Sequence, residues 1–157
     1  MNGMKINLHE KLCMCNGTSG DEKSVRDMII SMLPEDCSYK IDALGNLIVN
    51  KKGEKKPKNH VALFAHMDEV GFIVTYITEE GYICLAPVGG IDDSALFGKR
   101  ITVNGCNGVA GGKAIHQCEG DEGKTIPKIT DISADFGFNS REEAEKKIAL
   151  GDFGYFK

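Results

Sequence analysis

Apolar side chains recur at Ile6, Leu8, Leu12 and Cys15, which predicts a first helix over Lys5 to Cys15, ended by Asn16-Gly17. A second helix has a firmer signature. Val25, Met28, Ile29, Met32 and Leu33 fall at helical spacing before Pro34 stops the run, and Ser19 with Glu22 has the spacing of a capping box. Two short strands are predicted near Ser38 to Ala43 and Asn46 to Asn50, turned at Leu44-Gly45. Lys51 to Asn59 holds five lysines, one glutamate and Pro57 with no aromatic residue among them, the pattern of a solvated hairpin loop rather than an anion site. The run that follows, His60 to Ala65, is continuously apolar after its histidine, which predicts a strand buried on both faces.

Beyond Val70 the texture changes. Gly71 to Ile77, Tyr82 to Ala86 and Arg100 to Asn104 read as strands, and more than half of the nineteen glycines lie between Gly71 and Gly123. Short strands between glycine turns predict a small β-rich subdomain. Glu119 to Lys124 reads as a polar loop, and Ile129 to Asp135 as a further apolar strand. Ser140 and Glu143 repeat the capping-box spacing and open a helix to about Leu150, after which Phe153 to Phe156 starts another strand. The expected division is therefore 1–70 in an α/β layer, 71–128 in a β-rich insertion, and 129–157 back in the α/β layer.

Composition narrows the classes. Charged residues make up 27% and hydrophobic residues 41%, a globular mixture. A net charge of −4 argues against general affinity for nucleic acid or anionic lipid. No apolar stretch approaches the ~18 residues of a membrane span and no secretory signal is visible, so a cytoplasmic protein is expected. Cys13, Cys15, Cys37, Cys84, Cys106 and Cys118 lack the paired C-x-x-C knuckles of structural zinc sites. His9 with Cys13 and Cys15, or His116 with Cys118, would be the metal alternatives; reduced thiols in the core and loops are the expectation.

Candidate chemistry sits at the end of the apolar run, in Ala65-His66-Met67-Asp68-Glu69-Val70-Gly71. Strand ends in open α/β sheets are where ligand sites gather. In extended backbone His66 and Asp68 point the same way, so the imidazole could hold a divalent metal while the carboxylate fixes its ring. Taken alone, H-x-D is a common triplet and favours a satisfied structural histidine. Asp131 and Asp135 end the second apolar strand, which could lie beside the first in one sheet, and an aspartate there could bridge two ions. Asp135 could equally open the turn into the helix at Ser140.

Several ordered segments together resemble the glutamyl and deblocking aminopeptidase family, which includes the large tetrahedral aminopeptidases and members labelled endoglucanase. They are Ser19-Gly20-Asp21-Glu22 with Val25-Arg26, Asp42-Ala43-Leu44-Gly45-Asn46-Leu47, and Ala65 to Phe72. Val88-Gly89-Gly90-Ile91, Gly98-Lys99-Arg100-Ile101, Asp135-Phe136-Gly137 with Ser140 to Ala144, and Gly151-Asp152 continue the likeness in order. The resemblance implies an α/β, zinc-exopeptidase-like catalytic domain interrupted by a small barrel-like domain used in dimerisation. It implies two divalent ions, zinc or cobalt, that activate water against the first peptide bond of peptide substrates. On the same basis His66 is a metal ligand, Asp68 the catalytic carboxylate that orients it, and Asp135 the aspartate bridging both ions.

Family members continue past Gly151-Asp152 and there supply a Glu-Glu pair, a further aspartate and a final histidine. Glu142, Glu143 and Glu145, on a predicted surface helix, do not replace them. The catalytic domain is therefore expected to be incomplete and the isolated chain inactive, with a homo-oligomer formed through exposed strand edges of the β-rich segment. The alternative is a non-catalytic assembly or regulatory module. Glycoside hydrolysis has little support, because Asp68 and Glu69 are adjacent and would point to opposite faces.

Overall fold

The computed structural model describes residues 2–55, 58–112 and 126–157. Within them the chain divides into two units, Met1–Asp68 and Glu69–Lys157.

The first unit begins with two helices, α1 (Asn2–Cys13) and α2 (Lys23–Ser31). Val25 is the buried residue of α2, and the helix closes with the Met32 N–H donated to the Ile29 carbonyl and the Leu33 N–H to the Ile30 carbonyl. The predicted capping box does not form. Helix α2 starts after Glu22, whose carboxylate accepts the Gly20 N–H at 2.7 Å. The Ser19 hydroxyl instead donates to Asp68. Ser19 stands three positions before Glu22, the N-cap residue, too early for its oxygen to take a first-turn N–H.

Strands β1 (Cys37–Ile41) and β2 (Leu47–Lys51) form an antiparallel hairpin with Tyr39 opposite Val49 and Ile41 opposite Leu47. Its turn is organised by Asp42, whose carboxylate accepts the N–H of Leu44 at 3.0 Å, the N–H of Asn46 at 2.9 Å and the Asn46 amide at 2.9 Å. These bonds, the Asn46 amide foremost, hold the Asp42 pKa below its ordinary value. Lys51, Lys52, Lys55 and Lys58 are exposed, as a solvated loop requires; Lys56 and Pro57 lie outside the described residues.

The apolar run after the lysines departs from expectation. His60 to Ala65 forms no strand, and Val61, Leu63 and Phe64 are 87%, 94% and 94% exposed. A run apolar on both faces is buried only between two strands and under covering layers. Here β1 and β2 pair solely with each other.

The second unit is a closed barrel. Its strands, β3 (Gly71–Ile77), β4 (Ile83–Val88), β5 (Arg100–Val103), β6 (Cys106–Gly111), β7 (Ser133–Asp135) and β8 (Phe153–Phe156), follow the order β3-β4-β7-β6-β5-β8 and close through β8 onto β3. Phe72 and Val74 point inward at period two; a bulge between Val74 and Tyr76 then resets the phase so that Ile77 is also buried. Leu85, Ile101, Val103 and Ala134 complete the lining, with Ile148 packed into the same core. Phe72 meets Phe156 edge to face at 4.9 Å. Helix α3 (Arg141–Glu145) is capped by the Ser140 hydroxyl, which accepts the Glu143 N–H at 3.3 Å.

The barrel alters three expectations. Residues 129–157 belong to the second unit: Ile129–Asp131 is a 3-10 turn, and β7 and β8 are two of the six staves. Among the described residues each barrel strand has a neighbour on both sides, which leaves only short stretches of strand edge there for pairing between copies. Strand β6 lay hidden in a glycine-rich stretch. A Cβ at Gly108 would stand 2.7 Å from the Asp135 carbonyl and the Phe136 ring, so the absence of a side chain is what lets β6 approach. Among the described residues no helix is long and apolar enough to cross a membrane.

Candidate functional site

The first unit brings His66 and Asp68 together. The imidazole Nδ1 lies 2.9 Å from the Asp68 carbonyl oxygen and 3.2 Å from its carboxylate Oδ1. Both partners can only accept, so Nδ1 carries the proton and Nε2 keeps the lone pair. The His66 side chain is 86% exposed, which leaves Nε2 open toward solvent, while Asp68 is 41% exposed. The second carboxylate oxygen of Asp68 accepts from the Ser19 hydroxyl. That bond is the main reason the Asp68 carboxyl sits below the ordinary carboxylate range, with burial opposing it and His66 adding a smaller pull.

Gly17 allows the two segments to meet. A Cβ there would stand 2.7 Å from a Val25 methyl and 3.2 Å from the Met67 carbonyl oxygen. The loop carrying Ser19 can thus lie directly against the segment carrying Asp68. Ser19 is the site residue that the hydrophobic pattern conceals, because capping-box spacing offered it another role. Its partner is 49 positions away, beyond the reach of any local rule.

Asp135 belongs to the second unit. It ends β7 in the barrel unit, and its Oδ1 accepts the Gly137 N–H at 2.8 Å, which makes it a turn-opening residue. It borders an open groove together with Arg100, Asn107 and Lys157. The expected sheet uniting the apolar run with the strand of Asp135 does not form. The cysteine alternative is also reduced: Cys13 meets only His9, at 3.7 Å, while Cys15 donates to the Lys11 carbonyl. His116 and Cys118 lie outside the described residues. Among the described residues no group of three His, Cys, Asp or Glu side chains is placed to hold a metal.

An exposed Nε2 backed by a carboxylate is the arrangement of a metal-ligating histidine. Residues 45–157 match the family model of the M42 glutamyl aminopeptidases. The chain belongs to this family. It is 36% identical to a lysyl aminopeptidase of Pyrococcus furiosus over 95% of its own length and 44% of that protein's. With a glutamyl aminopeptidase of Lactococcus lactis it shares 37% identity over 86% of this chain and 40% of the other. The solved Pyrococcus horikoshii TET1 peptidase, described as assembling into a tetrahedron or a large octahedral shell, superposes with a TM-score of 0.83 at 36% identity, covering 97% of this chain and 46% of that one. The chain thus spans under half the length of these M42 relatives.

Proposed function

We propose that this chain is part of a metal-dependent aminopeptidase acting on peptide N-termini, to which it contributes His66 and Asp135 as metal ligands and Asp68 as the carboxylate behind His66. The observation that carries this reading is the fixed tautomer of His66: Nδ1 is held by two acceptors of Asp68 and Nε2 faces outward. The donor set fits one corner of a zinc or cobalt site, since an imidazole nitrogen suits either ion. A divalent ion held there supplies Lewis acidity toward a peptide carbonyl and toward water.

In this reading His66 binds and Asp68 orients. Asp68 also keeps a negative charge beside the imidazole, which strengthens Nε2 as a donor. Asp135, whose Oδ1 takes the Gly137 N–H, is proposed from the family resemblance as the aspartate that bridges two ions; one accepted hydrogen bond does not bar a carboxylate from ligating. The barrel is proposed as the self-association domain of a cytoplasmic homo-oligomer, through side-chain faces rather than strand edges. The free thiols of Cys13, Cys15, Cys37, Cys84 and Cys106 suit a reducing compartment.

Metal analysis after equilibrium dialysis against zinc tests the reading. Well under two weakly held ions per chain, with binding weakened further in His66→Ala, are expected, because two protein ligands leave the shells to water. Two tightly held ions, or binding indifferent to His66→Ala, would overturn it in favour of a different site or a non-catalytic assembly module.

A further inference from the structure

Ser19 stands outside any pairing that its sequence neighbourhood suggests. It precedes a helix it does not cap, and its hydroxyl proton goes to Asp68 Oδ2. The loop around it is built to hold it there. Asp21 donates its N–H to the Thr18 carbonyl at 2.7 Å, Glu22 takes the Gly20 N–H at 2.7 Å, and Gly17 lets the backbone approach Met67. Thr18 beside it is fully buried. A surface serine held by so many constraints against a carboxylate has a fixed position rather than a rotating hydroxyl.

We propose that Ser19 is the positioning residue of the His66–Asp68 pair: by fixing Asp68 Oδ2, it aims Oδ1 at His66 Nδ1 and so holds the imidazole with Nε2 free for a divalent ion. The metal role of Nε2 rests on the function proposed above; the orienting role of Ser19 does not. Free to rotate about its terminal torsion, the Asp68 carboxylate could present either oxygen, or neither, to the ring. The Ser19 bond removes that freedom by tying one oxygen to a different loop. The Asp68 carbonyl alone leaves Nδ1 a single acceptor on the same backbone segment, which allows the ring to swing.

The test reads the ring directly on the 157-residue chain. Long-range proton–nitrogen correlation spectra at pH 8, where imidazole is neutral, report which nitrogen of His66 carries hydrogen. The wild type is expected to show Nδ1 protonated. Ser19→Ala is expected to shift His66 toward a mixture of tautomers while the amide spectrum of the barrel is unchanged, and Ser19→Thr, which keeps the hydroxyl, is expected to restore the wild-type pattern. Zinc titration followed on the same ring signals is expected to weaken about 10-fold in Ser19→Ala, at the low end of what losing an outer partner of a ligating histidine costs. An unchanged tautomer in Ser19→Ala, or a Thr variant no better than Ala, would overturn the positioning role. Should zinc leave the wild-type His66 signals unmoved while Ser19→Ala still scrambles the tautomer, the positioning role stands and the metal reading of His66 falls.

Discussion

Leu63 offers a sharp test, because its sequence context and its structure make opposite demands. In a strand buried on both faces, Leu63→Ala would cost about 2–5 kcal/mol, the transfer term plus the cavity left behind. Leu63 is instead 94% exposed and lies outside any strand, so the side chain has no packed neighbours to lose. The expected change is within about 0.5 kcal/mol. Leu85 serves as the internal control: it lies in β4 opposite Val74, is 2% exposed, and its replacement by alanine should cost the full 2–5 kcal/mol or so. The chain has four tyrosines and no tryptophan, so urea unfolding is best followed by circular dichroism, with the two units allowed separate transitions. A midpoint shift at constant slope measures stability; a changed slope would report altered exposure in one of the states. A loss above about 2 kcal/mol for Leu63→Ala would show that the run is packed in solution and would refute the description of the first unit.

Gly17→Ala should force Val25 and the Met67 segment apart, destabilising the first unit by about 1–3 kcal/mol of overpacking, and the His66 ring signals should change with it. Lowering the pH should weaken the hairpin through Asp42. Its folded pKa is depressed by Asn46, so the contribution is present above about pH 4 and is lost as pH falls through the lowered folded value; Asp42→Asn should flatten that part of a urea-midpoint profile taken from pH 6 to 2.5. Ser140→Ala should cost about 1 kcal/mol through loss of the α3 cap, read from the barrel's unfolding transition. Light scattering should find a self-associated species that persists in His66→Ala, since the proposed contact is through the barrel; a strict monomer at high concentration contradicts that role.

The parts of the fold legible in the sequence are those written in local pattern. Helix α2, the hairpin turned near Gly45, strands β3 and β5, and the Ser140 cap follow from spacing within a few residues. Partner choice was not legible. Strands β7 and β8 carry the same apolar signature whether they join an α/β layer or a barrel, and only long-range pairing with β4, β6, β3 and β5 decides between them. The run ending at Ala65 reads as a core strand because apolar composition reports the burial a segment needs rather than the neighbours present to supply it. The site divides in the same way. His66 and Asp68 are two residues apart and could be paired by alternation. Ser19 needed the fold to bring it 49 positions along the chain, and the place of Asp135 at the end of β7, with Oδ1 on the Gly137 N–H, needed the barrel.

The most direct test places residues 1–157 in the framework of a longer M42 relative. A chimera in which this chain replaces the matching portion of the Lactococcus lactis glutamyl aminopeptidase supplies the length that this chain does not span. With zinc or cobalt added, it should release N-terminal residues from chromogenic amino-acid amides, while the 157-residue chain alone should not. In the chimera, His66→Ala and Asp135→Asn should each lower kcat/KM at least about 100-fold, as loss of a metal ligand does. Undiminished activity in the His66→Ala chimera would contradict the account.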